Sequence, residues 1–483
     1  MTLRLFSGQP LPLPGRGLPR RRWVVSMLLG CLAAAAAVRA EGLDSAPPVA
    51  AAFATLDREI AADLRARAIP GLAIAVIHGR DLLWHRDYGD ADLARGDKVG
   101  PGTRFRLGSM SKLLTGLALV QLRDAGRLDL DDPVTRHLPW FRLAGDPHPA
   151  ITLRELLLHL SGLPREAPGA SWTDRVMPSR EDLVRTLADV APAIPAESGW
   201  KYSNLGFALL GLVVEAASGQ SYADYVGTHV LLPLGMTDTV VEPKPDTPGL
   251  ATGYGPRGPD GPREARAFLT MGALTAAAGI ASTAADMAKL AAWALDDGDS
   301  LVLSARSRRE MLRIHADFSD FSGGEGLGWE TRRAGNVIRI GHAGKAAGFA
   351  GRIAIEPATG LGVVVLTNAD ENGPGKWVDR ALDLAGPAVA AATPPAPAPV
   401  ADPAWQDYVG TYGTGPRDAA ILVANGRLAW QDSSGTRIYL VPSGPDRFKW
   451  ESGGLVGEPV TFERDASGRV VRMLEGGEHD DRR

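Results

Sequence analysis

The stretch LDREIAADLRARAIPG spaces its apolar positions at helical intervals and stops at Pro70-Gly71. The period then changes. GLAIAVIHGRDLLWHRDYGDA reads as two apolar strands joined by the turn His78-Gly79-Arg80-Asp81, a hairpin. Helical spacing returns at 109–126, 152–160, 180–190, 204–218 and 284–296, and NVIRIGHAG, FAGRIAIEP and LGVVVLTN follow as three short strands. Strands at both ends of a region with helices between them predict an antiparallel sheet built from distant parts of the chain and flanked by a helical subdomain. Beyond PPAPAPVADP the pattern is that of strands alone: AAILVANGRLAWQD, TRIYLVP, RFKWES and PVTFERDASGRVVRML, with Asn425-Gly426 and Ser467-Gly468 where hairpin turns are needed. The predicted organisation is a main α+β domain over 50–386, a Pro/Ala linker over 387–403 and a small all-β domain over 404–476, with no internal repeat.

Residues 1–40 stand apart. Arg20-Arg21-Arg22 precede the apolar run WVVSMLLGCLAAAAAV, and Val38-Arg39-Ala40 places Val38 and Ala40 at the −3 and −1 positions of a cleavage site. The segment predicts a signal peptide cleaved after Ala40 and a periplasmic or extracellular protein. The run is short and alanine-rich for a membrane span. Lipid attachment at Cys31 fits less well, because alanines follow where a lipoprotein turns polar. The arginines leave the general and twin-arginine export routes both open. Cleavage removes six arginines and no acid, taking the net charge from −4 to −10, and it removes the single cysteine. Disulfides, thiolate catalysis and cysteine-ligated zinc are then excluded. At 45% hydrophobic and 22% charged residues the composition excludes a multi-pass membrane protein and a disordered chain, and the acidic balance points away from nucleic acid.

Only eight lysines stand against 44 arginines, and one of them follows a serine by three residues in FRLGSMSKLLTG. Ser109 and Lys112 share one face of the first turn of an apolar helix. A buried helix N-terminus offers free N–H groups, and burial disfavours the ammonium form of a lysine, so Lys112 can accept or relay a serine proton. A capping serine with a snorkelling lysine gives the same spacing. In ESGWKYSNLGFALLG, Tyr202 and Asn204 stand two apart before a helix, where they face one cavity or form an N-cap beside a core tyrosine. In IGHAGKAAGFAGRIAIEP, His342 and Gly344 lie on a strand, where small residues admit a ligand to the backbone or mark a bulge.

These three patterns fall in order on a helix start, a pre-helix loop and a strand. On them the chain resembles the serine β-lactamase and penicillin-binding-protein superfamily, in the branch of class C β-lactamases, D-Ala-D-Ala carboxypeptidases, D-aminopeptidases and family VIII esterases. The resemblance extends over about residues 52–372 and includes PGLAIAVI, ITLRELLLHLSGLP, LLPLGMTDT, GIASTAADMAKL, GLGWE and GLGVVVLTN. It implies a β-lactamase/transpeptidase-like fold, with Ser109 as the acylated nucleophile, Lys112 as its activating partner and Tyr202 as proton shuttle. It makes Asn204 a substrate-amide contact, and Lys345 and Ser109 the backbone donors to the oxyanion; whether Lys112 or Tyr202 is the base stays open. His342 contacts a substrate carboxylate or the relay in this scheme, and Gly344 lets substrate approach the strand.

The resemblance implies an exported serine hydrolase that uses no metal and no organic cofactor. It acts on a small-molecule or peptide substrate: a peptidoglycan-type peptide, a D-amino-acid amide, an ester or a β-lactam. His-Ala-Gly stands where class C β-lactamases carry Lys-Thr-Gly, and a mostly neutral histidine anchors a β-lactam carboxylate weakly. D-peptidase or esterase activity is therefore expected over a class C-like β-lactamase. An inert relative that binds cell-wall fragments would be expected to lack Ser109, Lys112 or Tyr202. No Gly-x-Ser-x-Gly and no His-Glu-x-x-His occurs, which argues against an α/β-hydrolase and a zinc hydrolase. His159 reads as structural, at a helix end before Gly162-Leu163-Pro164, and the C-terminal domain as a docking or stability module. The oligomeric state is not legible.

Overall fold

A computed structural model describes residues 42–146, 149–258, 261–371, 373–393, 400–413 and 418–483. The expected signal segment with Cys31, and residues 394–399 of the expected linker, lie outside these. The chain divides after Ala392 into two units.

The first unit is organised by strands whose two faces are both covered. Helix α1 (Pro47–Arg67) buries Val49, Phe53, Leu56, Ile60 and Leu64, and Ala68 ends it in the left-handed conformation. Strands β1 (Gly71–His78) and β2 (Asp81–Asp92) form the expected hairpin. Helices α2 (Ser111–Asp124), α3 (Asn204–Ser218) and α4 (Ala284–Leu295) follow, then strands β3 (Glu330–Ala334), β4 (Val337–Ala346), β5 (Phe349–Glu356) and β6 (Leu361–Thr367), and helix α5 (Pro374–Ala392).

All ladders of the sheet are antiparallel, and its central strands run β2-β1-β6-β5-β4-β3, with short edge strands beyond at both sides. β1 and β6 meet in register, Ile74 opposite Val365. Alternate side chains of one strand point to opposite faces. Leu72, Ile74 and Val76 of β1 accordingly join Leu361, Val363 and Val365 of β6 against α1 and α5. Ala73, Ala75 and Ile77 join Val364 and Leu366 in the larger core that includes α2, α3 and α4. This two-sided burial is why these strands read as continuous apolar runs.

One expected boundary moves. The linker was expected from 387, but α5 runs through Pro387 to Ala392. Alanine has the highest helix propensity, and Ala385, Ala388 and Val389 bury one face against the sheet layer, which outweighs the backbone hydrogen bond lost at the proline.

Among the described residues the second unit is an antiparallel meander of eight strands, from Gly410–Tyr412 to Glu478–Asp481, each paired with its chain neighbour. A bridge between Tyr412 and Arg482 brings its first strand to the end of its last, as in a barrel. Tyr412, Leu428, Phe448, Phe462 and Met473 fill its core. Asn425 and Gly426 both have positive φ, at 49° and 72°, the geometry of a tight two-residue hairpin turn. The last strand lies beyond the expected limit at 476. Among the described residues no helix is long and apolar enough to cross a membrane.

Candidate active site

The strand pair Phe105–Arg106 leads into a single 3-10 turn, Gly108–Met110, and the α-helix starts at Ser111. Ser109 thus sits in the turn ahead of α2. Gly108 has φ +52°, and a Cβ there would lie 2.5 Å from the Lys345 nitrogen. From the other side, a Cβ on Gly344 would lie 1.8 Å from the Leu107 carbonyl oxygen and 3.1 Å from the Met110 nitrogen. Two glycines therefore let β4 and the Ser109 turn touch backbone to backbone. Gly344→Ala must push them apart by more than an ångström. Phosphonylation of Ser109 by a fluorophosphonate, with loss of fluoride, is expected to slow about 100-fold, because a displacement of that size misaligns reacting groups. A stopped time course on folded variant checks this; an unchanged rate would remove the importance of this contact.

Around Ser109 three elements converge. Tyr202 Oη donates to Ser109 Oγ at 2.7 Å. Lys112 Nζ lies 3.3 Å from Ser109 Oγ, 2.7 Å from Asn204 Oδ1 and 3.0 Å from the Ala277 carbonyl oxygen. Lys112 is fully buried, and that burial pushes its pKa down to about 7. It also lies 4.8 Å from the Tyr202 ring centre and 5.2 Å from that of Phe207. Burial pushes the Tyr202 phenol well above its ordinary value, so the hydroxyl keeps its proton.

Hydrogen-bond chemistry orders this cluster. Asn204 Oδ1 and the Ala277 carbonyl only accept, so two N–H bonds of Lys112 point at them. When the amine is neutral, its third position is a lone pair, and it faces Ser109 Oγ. Ser109 can then accept from Tyr202 and donate to Lys112 at once.

Asn204, expected to contact a substrate amide, stands in the wall of a cavity that opens on Ser109 and is also held by its own neighbours. Its Oδ1 accepts from Lys112, and its Nδ2 reaches both Glu166 oxygens, at 3.0 and 3.1 Å. It tethers the lysine. The cap of α3 is Ser203, whose Oγ accepts from the Gly206 N–H at 2.9 Å. His159 has φ +58° and is buried, its Nδ1 accepts from the Ser203 N–H, and its ring centre lies 4.4 Å from that of Tyr202. Burial pushes its pKa well down, so it is a neutral wedge behind the tyrosine.

His342 lines a cavity of about 530 Å³ together with Ser109, Tyr202, Trp200 and Arg352. Its Nδ1–H donates to the Ala343 carbonyl at 2.5 Å, and its Nε2 lies 3.7 Å from Glu330 Oε1. Burial lowers its pKa, which leaves it neutral. The Lys345 ammonium pairs with Asp370 at 2.8 Å. A second lobe of about 540 Å³ also opens on Ser109 and Lys345, with Glu166, Trp172 and Asn204 in its wall. Among the described residues no group of side chains could hold a metal ion.

Sequence reasoning missed three carboxylates. Glu166 holds Asn204. Glu325 and Glu330 face each other across a hairpin, and burial beside Glu330 raises the Glu325 carboxyl far above the ordinary range. Only Glu330 belonged to a stretch already noticed, GLGWE.

The geometry has counterparts among known proteins. A family model described as Beta-lactamase matches residues 56–386. Penicillin-binding protein 4* of Bacillus subtilis (strain 168) is 35% identical over 172 residues, 35% of this chain and 37% of that protein. Protein flp of Staphylococcus aureus (strain N315) is 32% identical over 186 residues, 38% of this chain and 37% of that protein. The chain thus spans little more than a third of the length of these curated relatives. An octameric penicillin-binding protein homologue from Pyrococcus abyssi superposes with TM-score 0.61 at 22% identity, over 89% of this chain and 99% of that one. The crystal structure of SurE does so with TM-score 0.57 at 24% identity, over 90% and 100%. At these identities the two structures speak for the fold alone.

Proposed function

The chain belongs to the Beta-lactamase family and has its fold, and on that premise we propose that it is an exported serine hydrolase that cleaves an ester or amide through an acyl-enzyme on Ser109. The observation that carries the reading is the arrangement of Tyr202 Oη and Lys112 Nζ at 2.7 and 3.3 Å from Ser109 Oγ. Neutral Lys112 takes the Ser109 proton as Oγ attacks the substrate carbonyl. The backbone N–H groups of Ser109 and Lys345 receive the oxyanion. Tyr202, which holds its proton, passes it to the leaving group and is replenished from Lys112. Water then attacks the acyl-enzyme, giving one proton to the relay, which passes it to the departing Ser109 Oγ as the acid is released.

The neutral, buried His342 favours D-Ala-D-Ala carboxypeptidase, D-aminopeptidase or esterase activity over a class C-like β-lactamase, since it offers no fixed positive charge to a β-lactam carboxylate. Side-by-side turnover of p-nitrophenyl butyrate, a D-Ala-D-Ala peptide, a D-amino-acid amide and nitrocefin tests this. Ester or D-peptide kcat/KM is expected to exceed that for nitrocefin. Efficient nitrocefin hydrolysis would overturn the weight on His342, and no turnover of any of the four would favour an inert binding relative.

A further inference from the structure

A separate cavity of about 500 Å³ lies beside the strand Phe105–Arg106. Its charged wall residues are Arg95, Asp97, Lys98, Arg106, Asp246 and Arg266. Arg95 pairs with Asp92 and Asp97, and Lys98 with Asp90. Arg106 has no such partner. It is 3% exposed, its Nη1 donates to the Leu269 carbonyl, its guanidinium sits 4.9 Å from the Phe268 ring centre, and its buried Nε has no hydrogen-bond partner. Among the described residues no carboxylate lies within ion-pair distance of it, and the charged neighbour that acts on it is Arg175, a like charge.

The other deeply buried arginines have carboxylate neighbours. Arg263 pairs with Glu371, and Arg339 with Glu356, Asp379 and Asp383. Arg308, without an ion pair and with a buried Nη1 that has no partner among the described residues, still has Asp296 and Asp297 as charged neighbours, whereas the charged neighbour of Arg106 is another arginine. A buried cation is costly unless an anion pairs with it. Arg266, half-buried on the same wall, also lacks an ion pair among the described residues. Burial and Arg175 push the Arg106 pKa down to about 10, the direction of a cation waiting for a counter-charge.

We propose that this cavity is an anion subsite in which Arg106 and Arg266 take a carboxylate or phosphate group. A planar guanidinium is the fork that such oxygens fit, and that of Arg106 still lacks an acceptor at its buried Nε–H. The cavity shares Arg266 and Ala347 with the lobe that opens on Ser109, and Arg106 stands three residues before Ser109. The group arrives either as an acidic substituent on the substrate, which rests on the hydrolase reading above, or as a free small anion, which does not.

Two measurements on the full chain separate these sources. One is calorimetric titration with inorganic phosphate at constant ionic strength. The other compares kcat/KM for mono-p-nitrophenyl adipate and p-nitrophenyl hexanoate, which differ in a distal carboxylate. Arg106→Met and Arg266→Gln are tested alongside, with thermal melts to establish folding. A free anion predicts phosphate binding that weakens about tenfold or more in each folded variant. A substrate anion predicts an adipate preference that falls about tenfold in each. If Arg106→Met fails to fold, the half-buried Arg266→Gln decides. Phosphate binding that Arg266→Gln leaves unchanged marks an adventitious ion only. That result, or no binding, together with an ester preference that does not move, overturns the subsite. If neither ester is turned over by the unaltered protein, the hydrolase reading fails and the calorimetry still decides the subsite.

Discussion

Ser109→Ala is expected to lower turnover of the best substrate by about 10⁴- to 10⁶-fold, the range seen when a nucleophile is removed from an acyl-transfer relay. The same change should abolish covalent labelling by a fluorophosphonate or a fluorescent penicillin, with peptide mass mapping placing the wild-type label on Ser109. Neighbouring serines offer no substitute. Ser111 is fully buried and its Oγ accepts from the Ile280 N–H at 3.1 Å. Ser203 Oγ is held between the Pro164 carbonyl and the Gly206 N–H. A label on either, or labelling that survives Ser109→Ala, would sink the assignment.

Lys112→Met should cost about 10³-fold or more in kcat/KM while leaving Ser109 in place, within the range general-base catalysis supplies. Its pH signature is more telling than its size. With a pKa of about 7, wild-type kcat/KM should fall roughly tenfold per pH unit below neutrality as the amine gains its proton. The acid limb near 7 should vanish in the variant. Stability carries a second signature. The folded pKa, about 7, lies below the ordinary lysine value of 10.5, so between these values the unfolded chain binds more protons. Stability therefore rises with pH across that window by about 1.4 kcal/mol per unit from this group, and below 7 the term is flat at its full cost. Urea unfolding of both proteins at pH 7, 8 and 9 reads the difference in slope. Parallel curves would mean that Lys112 is not the desolvated group described.

What was legible in the sequence was what local pattern dictates. The β1–β2 hairpin and the three strands near the end of the first unit follow from short apolar runs bounded by turn residues, and α3 and α4 from the period of 3.6. The Ser-x-x-Lys spacing was not by itself decisive. It recurs at Ser198–Lys201, where Ser198 is exposed and its Oγ donates to the Pro195 carbonyl. What separates the two is burial of Lys112, which no spacing states. Glu166 lies in a segment without a repeating pattern and meets Asn204, far along the chain, while Glu325 matters only because a hairpin sets it opposite Glu330 and burial encloses it. That Asn204 also tethers Lys112 and meets Glu166 follows only once α2, α3 and the segment carrying Glu166 have packed together. Helix α5 was hidden by Pro387, a helix breaker in isolation that the surrounding alanines and the sheet beneath tolerate.

The pairing of β1 with β6 has a kinetic side. Leu72 finds its partner Thr367 only after nearly the whole first unit has been synthesised. Closing so long a loop is slow, and until it closes GLAIAVIH is an apolar strand with one side unpaired. Such an edge recruits other chains. Any fragment that stops before residue 361 should therefore aggregate rather than fold to a smaller hydrolase. The second unit, which begins after both strands of this pair, contributes no strand to it.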